Sequence, residues 1–350
     1  MGRMGATEHA RYWQHPRLPG VDLLRARYVS HTFSRHAHDG FVIAAVTSGV
    51  EGVGLPRGAE NVGAGGVVLI NPETPHTAYA GAREGWSYRV LYPPVGLVAE
   101  VAAEVTPLRG TPSFTENVLD DPGGGRLIAD VHRAAEADNA LAADTLLRRT
   151  VARLLRRCGS TAADPSGAAG SGAAAAARAR ELLVEHMADP PTLERLAAAT
   201  GTGPFALLRA FRAAYGLPPH SWLTGARVRR ARQLLDAGCT PAGAAAAVGF
   251  TDQPHLNRHF TRIVGVPPGA YQRERRRTGS AGRGDGGTGS RGPSAREPWA
   301  GTAGAVSRNT AGEGFAAGGP PGGRAAGQGT RRPAVPAAAK TYKTEPGSGP

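Results

Sequence analysis

One motif occurs twice in this 350-residue chain, and the two copies keep nearly the same spacing. In each copy a threonine precedes a glycine by nine residues, Thr192 before Gly201 and Thr240 before Gly249. The pattern Leu-x-Arg-x-Phe follows in both copies, and each closes on Gly-Leu-Pro-Pro or Gly-Val-Pro-Pro. Such a repeat requires two copies of one supersecondary unit, so it constrains the architecture more than any other feature of the chain.

Each copy has the pattern of a helix-turn-helix. In the first copy Leu193 and Leu196 lie on one face of a short helix that Gly201 ends, and Leu207 and Phe211 form the apolar stripe of a second helix. A helix that enters a major groove must pack on one side only and present hydrogen-bond donors on the other. The repeat therefore predicts two helices able to read DNA.

The second copy differs from the first in its small residues. Asp252 is a predicted cap for its second helix. Pro241, Gly243 and Ala244 leave its first helix with little to bury, and glycine inside a helix is destabilising. We therefore expect the second unit to be packed more loosely than the first.

The segment between the copies, from His220 to Gly238, predicts one continuous helix. Its four arginines, at positions 227, 229, 230 and 232, cannot all face DNA, so at least one should be structural. Residues 175–277 hold fifteen arginines against seven acidic residues, whereas residues 1–157 hold seventeen against sixteen. The excess positive charge thus lies with the repeat, as binding to a phosphate backbone requires.

These residues carry a family resemblance. The Gly-Phe-Thr-Asp-Gln run from Gly249, the Leu-x-Arg-x-Phe pattern and the Gly-Val-Pro-Pro run from Gly265 resemble the double helix-turn-helix domain of the AraC/XylS transcription regulators. The resemblance implies sequence-specific binding to double-stranded DNA in two adjacent major grooves per chain. We expect the following DNA-binding residues: Phe205, Ala206, Arg209, Arg212, Arg230, Gln253, His255, Asn257, Arg258 and Arg262.

The N-terminal part alternates short apolar runs with turn residues, which is typical of strands in a small β-barrel. The sequence segments that begin at Arg35 and at Gly65 are similar to segments of the cupin-type ligand-binding domain that often precedes this DNA-binding domain. The predicted fold class is α+β: a cupin-like barrel with following helices, then an all-α double helix-turn-helix. A barrel interior is able to hold one small ligand.

A histidine cluster marks the predicted ligand site. His36 and His38 alternate along a strand, and His76 follows a turn that contains proline. We expect these three, with Trp86 and Tyr88 as apolar walls, to bind a small-molecule effector. Metal-binding cupins add a glutamate shortly after the second histidine, and that position is apolar here, so we expect no metal and no cofactor. A metal site of three histidines and a rim without function are the alternatives.

We divide the chain as follows: barrel 1–115, helical pair 116–157, linker 158–174, DNA-binding domain 175–277 and disordered tail 278–350. The helical pair, broken near Asp138, either joins two subunits into a homodimer or only covers its own barrel. The linker and the tail are rich in Gly, Ala, Pro and Ser, and the tail has almost no aliphatic residues that could form a core.

The chain has no long apolar run and no apolar signal core, and its two cysteines lack metal-ligand spacing. We therefore expect a cytoplasmic transcription regulator that is not an enzyme and that contacts no membrane. RNA polymerase would be a partner if the regulator activates. The alternatives are a metal-dependent cupin enzyme with an attached DNA-binding domain and a DNA-binding regulator that needs no effector.

Overall fold

The structure, a computed structural model, describes residues 7–161 and 171–281, with side chains described as far as residue 277. We call residues 7–161 the sheet domain and residues 171–281 the helical domain. All described residues belong to one compact unit, so the two domains share contacts. The predicted disordered tail lies outside the described residues, apart from 278–281, which end the last helix.

Ten strands lie in the sheet domain. They are β1 (His9–Gln14), β2 (Asp22–Tyr28), β3 (Val42–Leu55), β4 (Gly58–Gly63), β5 (Gly66–Ile70), β6 (Thr77–Ala80), β7 (Trp86–Tyr92), β8 (Pro112–Phe114), β9 (Val118–Asp120) and β10 (Gly159–Thr161). The sheet therefore extends past the predicted boundary at residue 115, and β10 occupies the start of the predicted linker.

The described residues also form ten helices. They are α1 (Val95–Val105), α2 (Pro122–Glu136), α3 (Ala140–Cys158), α4 (Ser171–Glu185), α5 (Leu193–Ala199), α6 (Pro204–Tyr215), α7 (Pro219–Asp236), α8 (Pro241–Ala247), α9 (Gln253–Val264) and α10 (Pro268–Ala281). None of them is both long and apolar enough to cross a membrane.

The eight-stranded antiparallel sheet is organised around β3. Its order is β1-β2-β7-β3-β5-β9, with β4 and β6 also paired to β3. The register of β3 against β7 shifts between Val46 and Ser48, and such a bulge bends a strand. The first part of β3 pairs with β5 and its last part with β4 and β6. The pairing among the described strands runs from β1 to β9, and the predicted α+β class is confirmed: an antiparallel sheet domain precedes a helical domain.

The two faces of this sheet bury different partners. Ile43 and Leu69 point to the face that packs on α1, α2 and α3. The alternate residues, such as Val42 and Val68, point to the other face, where they share one core with α7, α8, α9 and α10. The apolar stripes of α2 and α3 thus cover their own sheet, which is one of the two roles that the sequence left open.

The helical domain confirms the repeat. The pairs α5–α6 and α8–α9 are its two helix-turn-helix units, and Thr192 and Thr240 cap the first helix of each through their side chains. Asp252 caps α9, where its carboxylate accepts from the His255 amide at 2.6 Å. The continuous helix predicted between the copies is α7.

The second unit is buried against the sheet domain, although its small residues predict loose packing of the unit by itself. Ala244 and Ala245 are buried within the core that the helical domain shares with the sheet. One contact between the domains is the ring pair Tyr12–Tyr271, with centroids 5.4 Å apart. The first unit has a separate core with α4 and part of α7. Contacts with the sheet domain therefore supply the packing that the second unit lacks on its own.

A buried ionic network joins the domains at Asp22 of β2. Its carboxylate accepts from the Tyr12 hydroxyl at 3.0 Å and forms salt bridges with Arg232 of α7 and Arg275 of α10. Arg275 also pairs with Asp236 at 2.8 Å. Because one carboxylate neutralises two arginines of the helical domain, its loss would leave buried positive charge without its partner.

We predict that Asp22→Asn lowers the free energy of unfolding by about 3 kcal/mol, since removing one partner of a buried ion pair is strongly destabilising. Asp130→Asn is the matched control, because Asp130 pairs with Arg133 near the surface within one helix. That control should lower the free energy of unfolding by less than about 1 kcal/mol. Urea denaturation of the full chain, followed by circular dichroism, measures both, and equal losses would contradict the importance of the network.

Hydrogen exchange tests how the second unit is packed. We predict that the amides of residues 192–217 exchange faster than those of residues 240–270 in the DNA-free protein, because the second unit shares its core with the sheet domain. Exchange measured by mass spectrometry on the full chain checks this order. Faster exchange in residues 240–270 would restore the expectation drawn from the sequence.

Candidate nucleic-acid interface and ligand cavity

The two predicted reading helices, α6 and α9, are built alike. Each begins with a proline in its first turn and ends at a glycine in the left-handed region, Gly216 with φ 66° and Gly265 with φ 88°. Leu207 and Phe211 bury one face of α6, and Leu256, Phe260 and Val264 bury one face of α9. The opposite faces are left for solvent or for a partner.

Most of the predicted DNA-binding residues lie on those outer faces. The exposed ones on α6 and α9 are Phe205, Ala206, Arg209, Arg212, Gln253, Arg258 and Arg262, and Arg230 of α7 is exposed as well. Phe205 is 76% exposed, which is unusual for an aromatic side chain. The arginines of α6 and α9 form no salt bridge with any acidic residue in the described ranges. Burial, His255, Arg262 and Arg258 together lower the pKa of His259, as expected where positive charge is concentrated.

Two predicted residues are less accessible. His255 is half-buried, and its ring packs against Phe250 with centroids 5.1 Å apart. Asn257 is also half-buried, and its Oδ1 atom is covered and has no hydrogen-bond partner among the described residues. In this conformation the Oδ1 atom of Asn257 is not available to a base edge, whereas Arg258 is exposed.

The four arginines of α7 do not all face outward, as the sequence predicted. Arg227 donates to the Met187 carbonyl, Arg229 to the Ala37 carbonyl, and Arg232 pairs with Asp22. Arg230 is exposed, and among the described residues it donates to Gln233 of its own helix at 2.9 Å. Three of the four therefore make structural contacts, and Arg230 is the one left facing outward.

The three predicted histidines lie together. His36 and His76 are joined by two backbone hydrogen bonds of 3.0 and 2.9 Å, and their ring centroids are 4.6 Å apart. The Nε2 atoms of His36 and His38 are 3.0 Å apart. One ring nitrogen from each of the three lies within 4.8 Å of the others. Residues forty positions apart in the chain thus form one cluster of nitrogen donors.

Backbone carbonyls hold two of these rings in a defined tautomer. The Nδ1 atom of His36 is 2.6 Å from the Ser34 oxygen, and that of His76 is 3.0 Å from the Thr74 oxygen. A carbonyl oxygen only accepts, so both Nδ1 atoms carry the proton and each neutral ring keeps an Nε2 lone pair. Burial lowers the pKa of His36 to about 3 and that of His76 to about 4, so both are neutral near pH 7.

The cluster forms part of a cavity of about 30 Å³ inside the sheet domain. Its walls include the three histidines, Tyr88 and several aliphatic residues. Trp86 is not in the wall: it is fully buried against Tyr28 and Tyr88, with centroids 5.3 and 5.9 Å away. The prediction is therefore corrected for Trp86, because neighbouring rings occupy the space between it and the cavity.

Glu51 lines the same cavity, although it was not predicted from the sequence. It is 3% exposed, and burial raises its pKa to about 8. Its Oε2 atom has no hydrogen-bond partner in the described part of the chain. A signal was present, because Glu51, Val53 and Leu55 alternate along β3 and so share one face.

Two helices of the helical domain, and the glycine that follows a third, lie against the segments that carry the histidines. The Ser34 amide donates to the Arg262 carbonyl of α9 at 2.9 Å. Arg229 of α7 reaches the carbonyl of Ala37, and a side chain at Gly216, after α6, would clash with Pro75.

A side chain of α9 also reaches the cavity itself. Ile263 of α9 is part of the cavity wall. The sequence could not have singled it out, because Ile263 looks like any aliphatic residue of a helix. The ligand cavity and the second reading helix thus share a wall.

Comparison with known proteins agrees with this arrangement. The AraC-like ligand binding domain model matches residues 18–151, and a helix-turn-helix domain model matches residues 196–274. The chain is 26% identical to the HTH-type transcriptional regulator YbfI of Bacillus subtilis, over 67% of this chain and 86% of that protein. It is 33% identical to the MmsAB operon regulatory protein of Pseudomonas aeruginosa, over 28% of this chain and 32% of that protein.

Among solved structures, apo ToxT from Vibrio cholerae is similar at a TM-score of 0.47 and 12% identity, over 76% of this chain and 96% of that one. The two matched family models follow each other in the order in which the structure places the cavity and the reading helices. The chain belongs to the AraC family of transcription regulators, with an N-terminal ligand-binding domain and a C-terminal DNA-binding domain.

Proposed function

We propose that this chain is a one-component regulator in which the occupant of the sheet-domain cavity controls how α6 and α9 meet DNA. His36, His38, His76 and Tyr88 are the effector-binding residues of this proposal. The observation that carries it is the shared wall, because Ile263 of α9 lines the cavity. A ligand that moves this wall acts on a reading helix without any intermediate element.

The contacts around the cavity support two states of the chain. In the described state, which we call docked, the Tyr28 hydroxyl donates to the Gly265 carbonyl at 2.8 Å and Ser34 binds the end of α9. These contacts hold α9 in one orientation relative to the sheet domain. DNA requires α6 and α9 to meet two successive major grooves, about 34 Å apart. An effector that binds the two states unequally changes their populations and hence DNA affinity.

The proposal also includes partners for the chain and a place where it acts. Leu141 of α3 is 79% exposed, which supports a homodimer through the outer face of α3. RNA polymerase belongs to the proposal if the regulator activates. We place the protein with its promoter DNA in the bacterial cytoplasm, and we propose that it acts by binding and not by catalysis.

DNA readout is tested by removing one exposed arginine at a time from the full chain. Arg258→Ala should weaken the binding free energy by about 1–3 kcal/mol on the preferred site and only slightly on random DNA, because arginine pairs with base edges. Arg230→Ala should weaken both equally and reduce the salt dependence by about one phosphate contact. Fluorescence anisotropy at several salt concentrations measures these effects.

Arg178→Ala is the control for this experiment, since it removes the same charge from an exposed salt bridge with Glu181 on α4. It should leave affinity for both DNAs almost unchanged. Equal losses for Arg258→Ala and Arg178→Ala would show that α9 does not read DNA.

Control by docking is tested at Tyr28. Tyr28→Phe removes the hydrogen bond to Gly265, which is worth about 1 kcal/mol, and should raise DNA affinity by up to about fivefold by releasing α9. Tyr79→Phe is the matched control, because Tyr79 lies on β6 and its hydroxyl has no hydrogen bond among the described residues. Unchanged affinity in Tyr28→Phe would remove the docked state from the proposal.

A further inference from the structure

The arrangement of the three imidazoles fits a metal ion. Two nitrogen ligands of one tetrahedral zinc ion lie about 3.3 Å apart, given Zn–N bonds of about 2.0–2.1 Å. The Nε2 atoms of His36 and His38 are 3.0 Å apart, and a ring nitrogen of His76 lies within 4.8 Å of both. Rotation of one ring therefore brings three nitrogen donors into range of a single ion.

The surroundings of the rings have the features of a metal site. Ligating histidines usually donate their other ring nitrogen to a carbonyl or carboxylate, which orients the lone pair toward the metal. The Nδ1 atoms of His36 and His76 do so, to Ser34 and Thr74. With those protons fixed, the short contact between His36 and His38 needs either a proton on His38 or a shared cation. A cation satisfies both lone pairs at once.

The size of the cavity selects the class of ligand. Organic ligands occupy cavities of about 300–1,000 Å³. This cavity measures about 30 Å³, far below that range. An ion with one water fits without rearrangement, whereas a metabolite requires the walls to move apart.

A carboxyl group and an open cleft lie beside the cluster. Glu51 brings a carboxyl group with an unpartnered Oε2 atom into the same cavity. This carboxyl group offers oxygen atoms as a further ligand to an ion held by the histidines. His38, which is half-buried, lines both this cavity and an open cleft of about 340 Å³ beside α7. The cluster therefore borders the cleft at His38, and we expect an ion to enter there.

We propose that His36, His38 and His76 bind one divalent transition-metal ion of the class that prefers imidazole, such as Zn²⁺, Ni²⁺ or Co²⁺. This reverses the expectation of no metal, which rested on the missing carboxylate after His38; Glu51 brings a carboxyl group to the cavity from β3. The inference deepens the proposed function, on which it rests in one respect: the ion would be the effector.

The test uses the full chain, freed of metal with a chelator and titrated with Co²⁺ while its visible absorption is recorded. We expect saturation near one equivalent and a higher melting temperature with the ion bound. His38→Ala, at the half-buried position, should weaken Co²⁺ binding by more than about 100-fold, because even residues that only orient ligands contribute 10–100-fold. Circular dichroism verifies that the variant folds.

His9→Ala is the matched control, since His9 is an exposed histidine at the start of β1, outside the cluster, and it should bind Co²⁺ like the unchanged chain. Absence of saturable Co²⁺ binding, or unchanged binding in His38→Ala, overturns the metal site.

DNA anisotropy on the same samples separates the two proposals. Intact DNA binding without Co²⁺ binding overturns the metal site and leaves the proposed function. Co²⁺ binding with unchanged DNA affinity supports the site and overturns its role as the signal.

Discussion

The close approach of the sheet domain to the end of α9 is the contact on which the shared core and the proposed control depend. Gly265 ends α9 with φ 88°, and a side chain there would collide with the Tyr28 hydroxyl and the Phe33 ring. Only glycine adopts this conformation and leaves room for both neighbours. Because Tyr28 reaches the Gly265 carbonyl, the core of the sheet domain continues into the second helix-turn-helix unit, and Ile263 reaches the cavity wall.

The arginines show how one residue type serves two purposes in the helical domain. Arg232 and Arg275 meet Asp22, so they hold the domains together and are unavailable to a polyanion. Arg258 and Arg262 are exposed and form no salt bridge within the described residues, so they keep their charge for phosphates or base edges. Net charge alone therefore overstates the interface, because part of it is neutralised by the sheet domain.

The cavity concentrates groups that are expensive to bury. His36, His76 and Glu51 lie among aliphatic side chains, and burial shifts the pKa of each toward its neutral form. A fold that needed only stability would place apolar residues there, since an unpartnered buried polar atom is destabilising. The proposed ligand rests on this cluster, and the proposed control of DNA binding rests on its position beside α9.

The sequence by itself determined the local features: the two helix-turn-helix units with their caps at Thr192, Thr240 and Asp252, the strands and the alternation of His36 and His38 along the chain. These follow from periodicity, capping chemistry and alternation, which act over a few residues. The tertiary structure alone decided that Trp86 is covered and that the second unit is completed by the sheet domain. It also decided that Glu51 faces the cavity. A bulge after Val46 reverses which residues of β3 face inward. A one-residue shift of this kind depends on pairing with a strand that is distant in the sequence.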